Sequence, residues 1–114
     1  MTLIFKILNG GIWTTAKRDG RFAGAGIDLA DGYIHLSDAS QVEETAQKYF
    51  AGRTDLVLVA FNADLLQPAP VWEASRGGAL FPHVYGVIDP ASAIWTKPLQ
   101  WNGKAHDFPS GWRG

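Results

Sequence analysis

Two kinds of apolar pattern run along this chain. Short unbroken runs mark strands, and one stretch repeating every three to four positions marks a helix. Residues 3–8 are apolar except for Lys6 and read as a first strand, which Asn9-Gly10-Gly11 ends in a turn. Residues 12–17 form a short helix burying Trp13 and Ala16, stopped by Asp19-Gly20. The glycine-rich stretch 21–32 reads as an ordered, irregular loop. Tyr33-Ile34-His35-Leu36-Ser37 is a compact strand, and Asp38 stands three residues before Gln41, the spacing of a capping box. Val42, Ala46, Tyr49 and Phe50 then give one apolar helical face, with Gly52 as the stop.

Residues 56–61 are six consecutive apolar positions, which predicts a central strand covered on both faces. One helical turn follows at 62–66. Pro68 and Pro70 then force extended backbone into Val71-Trp72-Glu73. After Gly77-Gly78, residues 80–87 contain Pro82, which points to an edge or irregular strand. Asp89-Pro90 opens a turn before a last strand at 94–97. The expected fold is α+β, a small, strongly bent, mixed or antiparallel sheet with one main helix. Residues 1–99 read as the domain, and 100–114 as a tail that packs on the body or stays mobile. Trp101, Phe108 and Trp112 are its anchors, and His106 reads as solvent-exposed.

The 114 residues contain no cysteine, which excludes disulfides and thiolate zinc sites and suits a reducing, cytoplasmic setting. Ten Lys plus Arg balance eleven Asp plus Glu without any basic run. An extended nucleic-acid surface is therefore not expected. The first residues lack the pattern of a secretory signal, and no apolar run is long enough to span a bilayer. Dinucleotide, Walker and nucleophile-elbow motifs are missing.

Three constellations carry candidate chemistry. His35 and Ser37 share a strand face beside a helix N-terminus, which suits an anionic ligand. Glu73, Ser75, Arg76, Gly77 and Gly78 combine a forked donor with glycine amides, a workable anion cradle. The bland alternative is a surface hairpin with an incidental ion pair. His83 and Tyr85 share another strand face, where a tyrosine could stack on a flat ligand and a histidine could move a proton. His35, His83 and Glu73 also have the composition of a two-histidine, one-carboxylate metal site, but the reading adopted has no metal.

These residues carry a resemblance. Residues 33–37, the helix after them, 55–64, Trp72-Glu73, Arg76-Gly77-Gly78 and residues 81–86 resemble a bacterial family known as domain of unknown function 952. A more distant likeness implies more. Ile34-His35-Leu36-Ser37, a helix with Thr45-Ala46, the strand 56–59 and Asn62-Ala63-Asp64 resemble the core of RNA 2′-phosphotransferases. Those enzymes belong to the ADP-ribosyltransferase superfamily and use NAD. The likeness implies an ADP-ribosyltransferase-like fold with NAD as cofactor and a nucleotide or phosphate-bearing small molecule as partner. It places His35 beside the nicotinamide ribose and Lys6 on the adenosine side. Gly32-Tyr33-Ile34-His35 also sits where poly-ADP-ribose polymerases carry a ring-stacking tyrosine. His35, Glu73 and His83 are then the expected catalytic residues, and Lys6, Ser37, Ser75, Arg76, Gly77, Gly78 and Tyr85 the ligand-binding ones, in a monomer. The competing expectations are a non-catalytic binding module and a protein–protein adaptor anchored by the tail tryptophans.

Overall fold

The structure, a computed structural model, describes residues 1–114 apart from the side chain of Arg76. The element order is β1 (Leu3–Asn9), α1 (Gly10–Asp19), α2 (Ile27–Asp31), β2 (Ile34–His35), β3 (Ser37–Asp38), α3 (Val42–Tyr49), β4 (Leu56–Asn62), β5 (Val71–Ala74), β6 (Leu80–Val84), β7 (Trp95–Trp101) and β8 (His106–Asp107). The strands make a five-stranded sheet, β3-β1-β4-β7-β8, and a three-stranded sheet, β2-β6-β5. Every pairing in both is antiparallel, so the mixed alternative does not occur here.

β4 is central, as its unbroken apolar run requires. Val59 and Phe61 join the apolar cluster with Ile4, Trp13, Ile34 and Val84, under α1 and the small sheet. Leu56, Leu58 and Ala60 face the other way, into a cluster with Phe5, Val42, Ala46 and Trp112 under α3. Trp13 is buried with its Nε1–H donated to Thr96 Oγ1 at 2.9 Å, so its polar end is satisfied. Phe108 and Trp112 stack at 4.9 Å, and Trp112 meets Phe5 edge-on at 5.2 Å.

Several local expectations change. Asn9 does not turn the chain: its side chain accepts from Ile12 N–H and caps a helix that starts at once on Gly10. That helix, at ten residues, is longer than the eight-residue α3, so there are two principal helices rather than one. The capping-box spacing is used in one direction only. Gln41 Oε1 accepts from Asp38 N–H, while Asp38 Oδ1 accepts from Ser40, and the helix begins at Val42. Tyr49, expected on the apolar face, is exposed. His106, expected in solvent, is buried and its Nε2 meets Arg53 O.

Two departures create the cleft described below. The strand at 33–37 breaks at Leu36, because its two halves serve different sheets: β2 pairs with β6, and β3 pairs with β1. β3 covers only Ile4 and Phe5, so from Lys6 onward that edge of β1 has no strand beside it. Pro82, which suggested an edge strand, lies instead in the middle strand of the small sheet. Its carbonyl accepts from Leu36 N–H at 3.0 Å. The N–H that proline lacks would point the same way, at the place where β2 is leaving the sheet, so little is lost. No helix among the described residues is long and apolar enough to cross a membrane.

Trp112 packs into the cluster under α3 with Phe5, Phe108 and Val42, so Trp112→Ala is expected to lower stability by about 3 kcal/mol, the low end for a buried tryptophan. Urea unfolding checks this. A change below about 0.5 kcal/mol, the range of ordinary surface substitutions, would mean that the C-terminal residues add nothing to the core.

Candidate functional site

Antiparallel register decides which side chains meet on the small sheet. His35 lies directly opposite His83, and Val71 opposite His83 on its other side. Period-two alternation then puts Tyr33, His35, Phe81, His83, Tyr85 and Glu73 on one face, while Ile34 and Val84 point into the core. The rings on this face touch. Tyr33 lies 4.5 Å from His35, 4.4 Å from His83 and 5.1 Å from Tyr85, centroid to centroid, and the two imidazoles are 5.3 Å apart. This wall borders a cleft of about 580 Å³ whose other sides come from the open edge of β1, α2 and the helix α3 with Arg53 after it.

Each imidazole is fixed by carboxylates. His83 Nδ1 donates to Glu73 Oε1 at 2.8 Å, and Tyr85 donates its O–H to the same oxygen at 2.7 Å. Those two bonds hold the Glu73 carboxyl below the usual range, and the phenol that donates to it is correspondingly pushed up. On the other strand, His35 Nδ1 meets Asp28 Oδ1 at 2.7 Å and His35 Nε2 meets Asp31 Oδ2 at 3.0 Å. A carboxylate only accepts, so Asp28 selects the Nδ1–H tautomer; the contact with Asp31 becomes a bond when the ring carries its second proton.

Asp28 itself is buried and its carboxylate is fully used. It accepts from Ala25 N–H, His35 N–H and the His35 ring, and pairs with Lys6 Nζ at 2.7 Å. Burial pushes this carboxyl up, but the Lys6 charge and the hydrogen bonds outweigh it and hold the group below its ordinary value. Burial pulls the Lys6 ammonium down, and Asp28 only partly offsets this. Lys6 also donates to His35 O at 2.9 Å, bridging the gap that the break at Leu36 leaves between β1 and β2. Packing here needs glycine: a Cβ on Gly24 would stand 2.9 Å from Asp28 Cβ.

The structure thus brings together His35, His83, Tyr85 and Glu73, with Lys6 beneath them. Glu73 reaches the wall by its bonds and is not itself a lining residue of the cleft. Lys6 lines the cleft but spends its charge on Asp28. Ser37 is buried at the cleft wall and shares a hydrogen bond with Thr45 Oγ1. Ser75 stands at the rim. Gly77 and Gly78 close a tight turn in left-handed conformations, where Gly78 N–H is already donated to Ser75 O and Ser75 N–H to Ala79 O. Two amides of the expected cradle are therefore spent within it. The Arg76 side chain lies outside the described residues. Among the described residues no group of three or more side chains is placed to hold a metal.

Sequence reasoning missed Asp28, Asp31 and Arg53. Asp31 precedes His35 by one helical turn's spacing, a signal hidden by reading 21–32 as irregular; Asp28 gave none, because its partner Lys6 is distant in the chain.

Asp28→Asn leaves Lys6 buried without a counter-charge and is expected to cost about 3–5 kcal/mol in urea unfolding. Adding Lys6→Met should recover a large share. A carboxyl lowered on folding stabilises above its unfolded value, about 3.9, and loses that contribution as pH falls through the folded value. The cost of Asp28→Asn should therefore be steady at neutral pH and shrink only below about pH 4.

The fold recurs in solved structures. The crystal structure of protein CC0527 from Caulobacter crescentus has a TM-score of 0.88 and 45% identity, covering 93% of this chain and 94% of that one. The solution NMR structure of CC0527 gives a TM-score of 0.82 and 46% identity over 93% and 91%. No curated protein matches the chain. Residues 7–96 match the model of the family described as protein of unknown function, DUF952. With that match spanning most of its length, the chain is a member of the DUF952 family.

Proposed function

We propose that the cleft binds NAD or a closely related nucleotide, and that the chain transfers the ADP-ribosyl group in the manner of the ADP-ribosyltransferases. One observation carries this reading: three touching rings, Tyr33, His35 and His83, line a cleft of about 580 Å³, and Tyr85 extends the ring wall beyond that lining. Cavities of roughly 300–1,000 Å³ lined by aromatics with a few fixed polar groups suit small ligands. A flat heterocycle stacks on such a wall, and the His35 strand would then lie beside the ribose, as the resemblance of residues 34–37 to RNA 2′-phosphotransferases would imply. The diphosphate would run toward the rim at Ser75, with Arg53 as the lining cation, since Lys6 is held by Asp28 at 2.7 Å while Arg53 meets the exposed Asp55 only at 3.4 Å. Departure of nicotinamide leaves positive charge on the ribose, and Asp31, half-exposed at the cleft, is the carboxylate placed to offset it.

A second reading, binding without turnover, also has an observation behind it. Each carboxylate near the rings is already engaged: Asp28 by Lys6 and His35, Asp31 by His35, and Glu73 by His83 and Tyr85.

A two-dimensional NMR titration with NAD, ADP-ribose and nicotinamide separates these. Shifts should cluster at residues 32–37 and 80–85. Tyr33→Ala should weaken binding by about 1–3 kcal/mol, the worth of one stacked base. Nicotinamide accumulating with time supports transfer, and binding without it supports the second reading. The absence of shifts at millimolar ligand would end the nucleotide reading.

A further inference from the structure

The two histidines face the same cleft but are not equivalent. His35 has a carboxylate beside each ring nitrogen, so an entering hydroxyl could reach its Nε2 only by displacing Asp31. His83 has one carboxylate, on Nδ1. Its Nε2 has no protein partner among the described residues, although the side chain is only 5% exposed and lines the cleft. A ring nitrogen without a partner, on a largely buried side chain in the wall of a ligand-sized cleft, is a free lone pair held ready for something that enters. Glu73 fixes that lone pair on Nε2, because a carboxylate on Nδ1 requires the proton to sit there.

We propose that His83 is the proton acceptor of this site, working through Nε2 with Glu73 as its positioning residue, and that the group receiving the transfer is an alcohol or water. An anionic phosphate oxygen has no proton to lose at neutral pH and would gain nothing from a base; a hydroxyl does. The acceptor half of this proposal rests on the nucleotide reading above. In the step, the bond between ribose C1′ and the nicotinamide nitrogen breaks. Nicotinamide leaves with the electron pair, which neutralises its ring charge. The acceptor oxygen bonds to C1′, and its proton passes to His83 Nε2. The imidazolium so formed faces Glu73 and later yields its proton to solvent. The other titratable groups around the ring are Tyr85, which shares Glu73, Tyr33 just before β2 and His35 on β2, with Asp28 and Lys6 behind His35.

Two assays on the full chain test the two halves separately. Hydrolysis of p-nitrophenyl acetate probes an open imidazole without any nucleotide. His83→Gln should reduce it by roughly tenfold or more and remove its dependence on pH, as expected when a neutral ring acts. Glu73→Gln, on a half-exposed residue that should fold normally, should shift that pH dependence, an effect a merely structural role would not produce. Lys104→Gln, on an exposed residue outside the cleft lining, serves as the control. Ester hydrolysis indifferent to His83→Gln in a folded protein overturns the proposal whatever NAD does. Nicotinamide release is then followed with NAD and either glycerol or inorganic phosphate as acceptor. Loss of about a hundredfold with glycerol in His83→Gln supports the base role. Transfer to phosphate that survives His83→Gln and exceeds transfer to glycerol overturns the alcohol assignment. If ester hydrolysis needs His83 but NAD neither binds nor turns over, the nucleotide reading and its acceptor fall while His83 stands as the base.

Discussion

A single buried ion pair organises this molecule's cleft. Lys6 on β1 and Asp28 on α2 meet in the gap where two sheets part, and each also binds the strand that bears His35. Such a pair is expensive to bury, since water must be removed from both charges. What it provides is position. Of the residues in α2, only Asp28 is buried, while Ile27 and Leu29 stand exposed. Apolar packing therefore does little to hold this short helix. Its place beside the cleft depends on a carboxylate that takes four contacts at once.

The second organising constraint is the break at Leu36. One continuous strand could not serve both sheets, because they diverge there. By splitting, the chain leaves half of β1 uncovered, and the cleft fills that uncovered edge. Fold and site are in this sense one feature. The apolar clusters on the two faces of β4 make the frame rigid, and the ring wall is the polar side of a sheet whose other side is core.

Much of this was legible in the residues. The unbroken run at 56–61 could only be a strand covered twice, and alternation placed His35 and His83 each on a polar-tipped strand face. The spacing of Trp13 and Ala16 marks the buried side of α1, and both are buried there. The failures share a cause. Asp28 looked like one more polar residue in a glycine-rich stretch, because its partner lies on β1 and nothing local signals a contact across that distance. Pro82 looked like an edge residue because its missing N–H is costly only where a partner carbonyl waits for it, which depends on where a different strand ends. Gly78 reads as a free donor in the sequence, which does not reveal that the turn consumes its amide internally. His106 looked exposed because it stands among polar residues, although the β7–β8 pairing brings it under Trp101.

The opposed placement of His35 and His83 has a consequence for how this chain can change. Side chains in a strand alternate with period two, so sliding β6 by one residue against β2 would turn Val84 outward and the imidazole inward. The ring wall and the apolar core are thus two readings of the same register. Substitution can retune the wall one residue at a time, but insertion or deletion of a single residue within β6 exchanges site for core. Length variation in this family should consequently collect in the connections and spare the strand that carries His83.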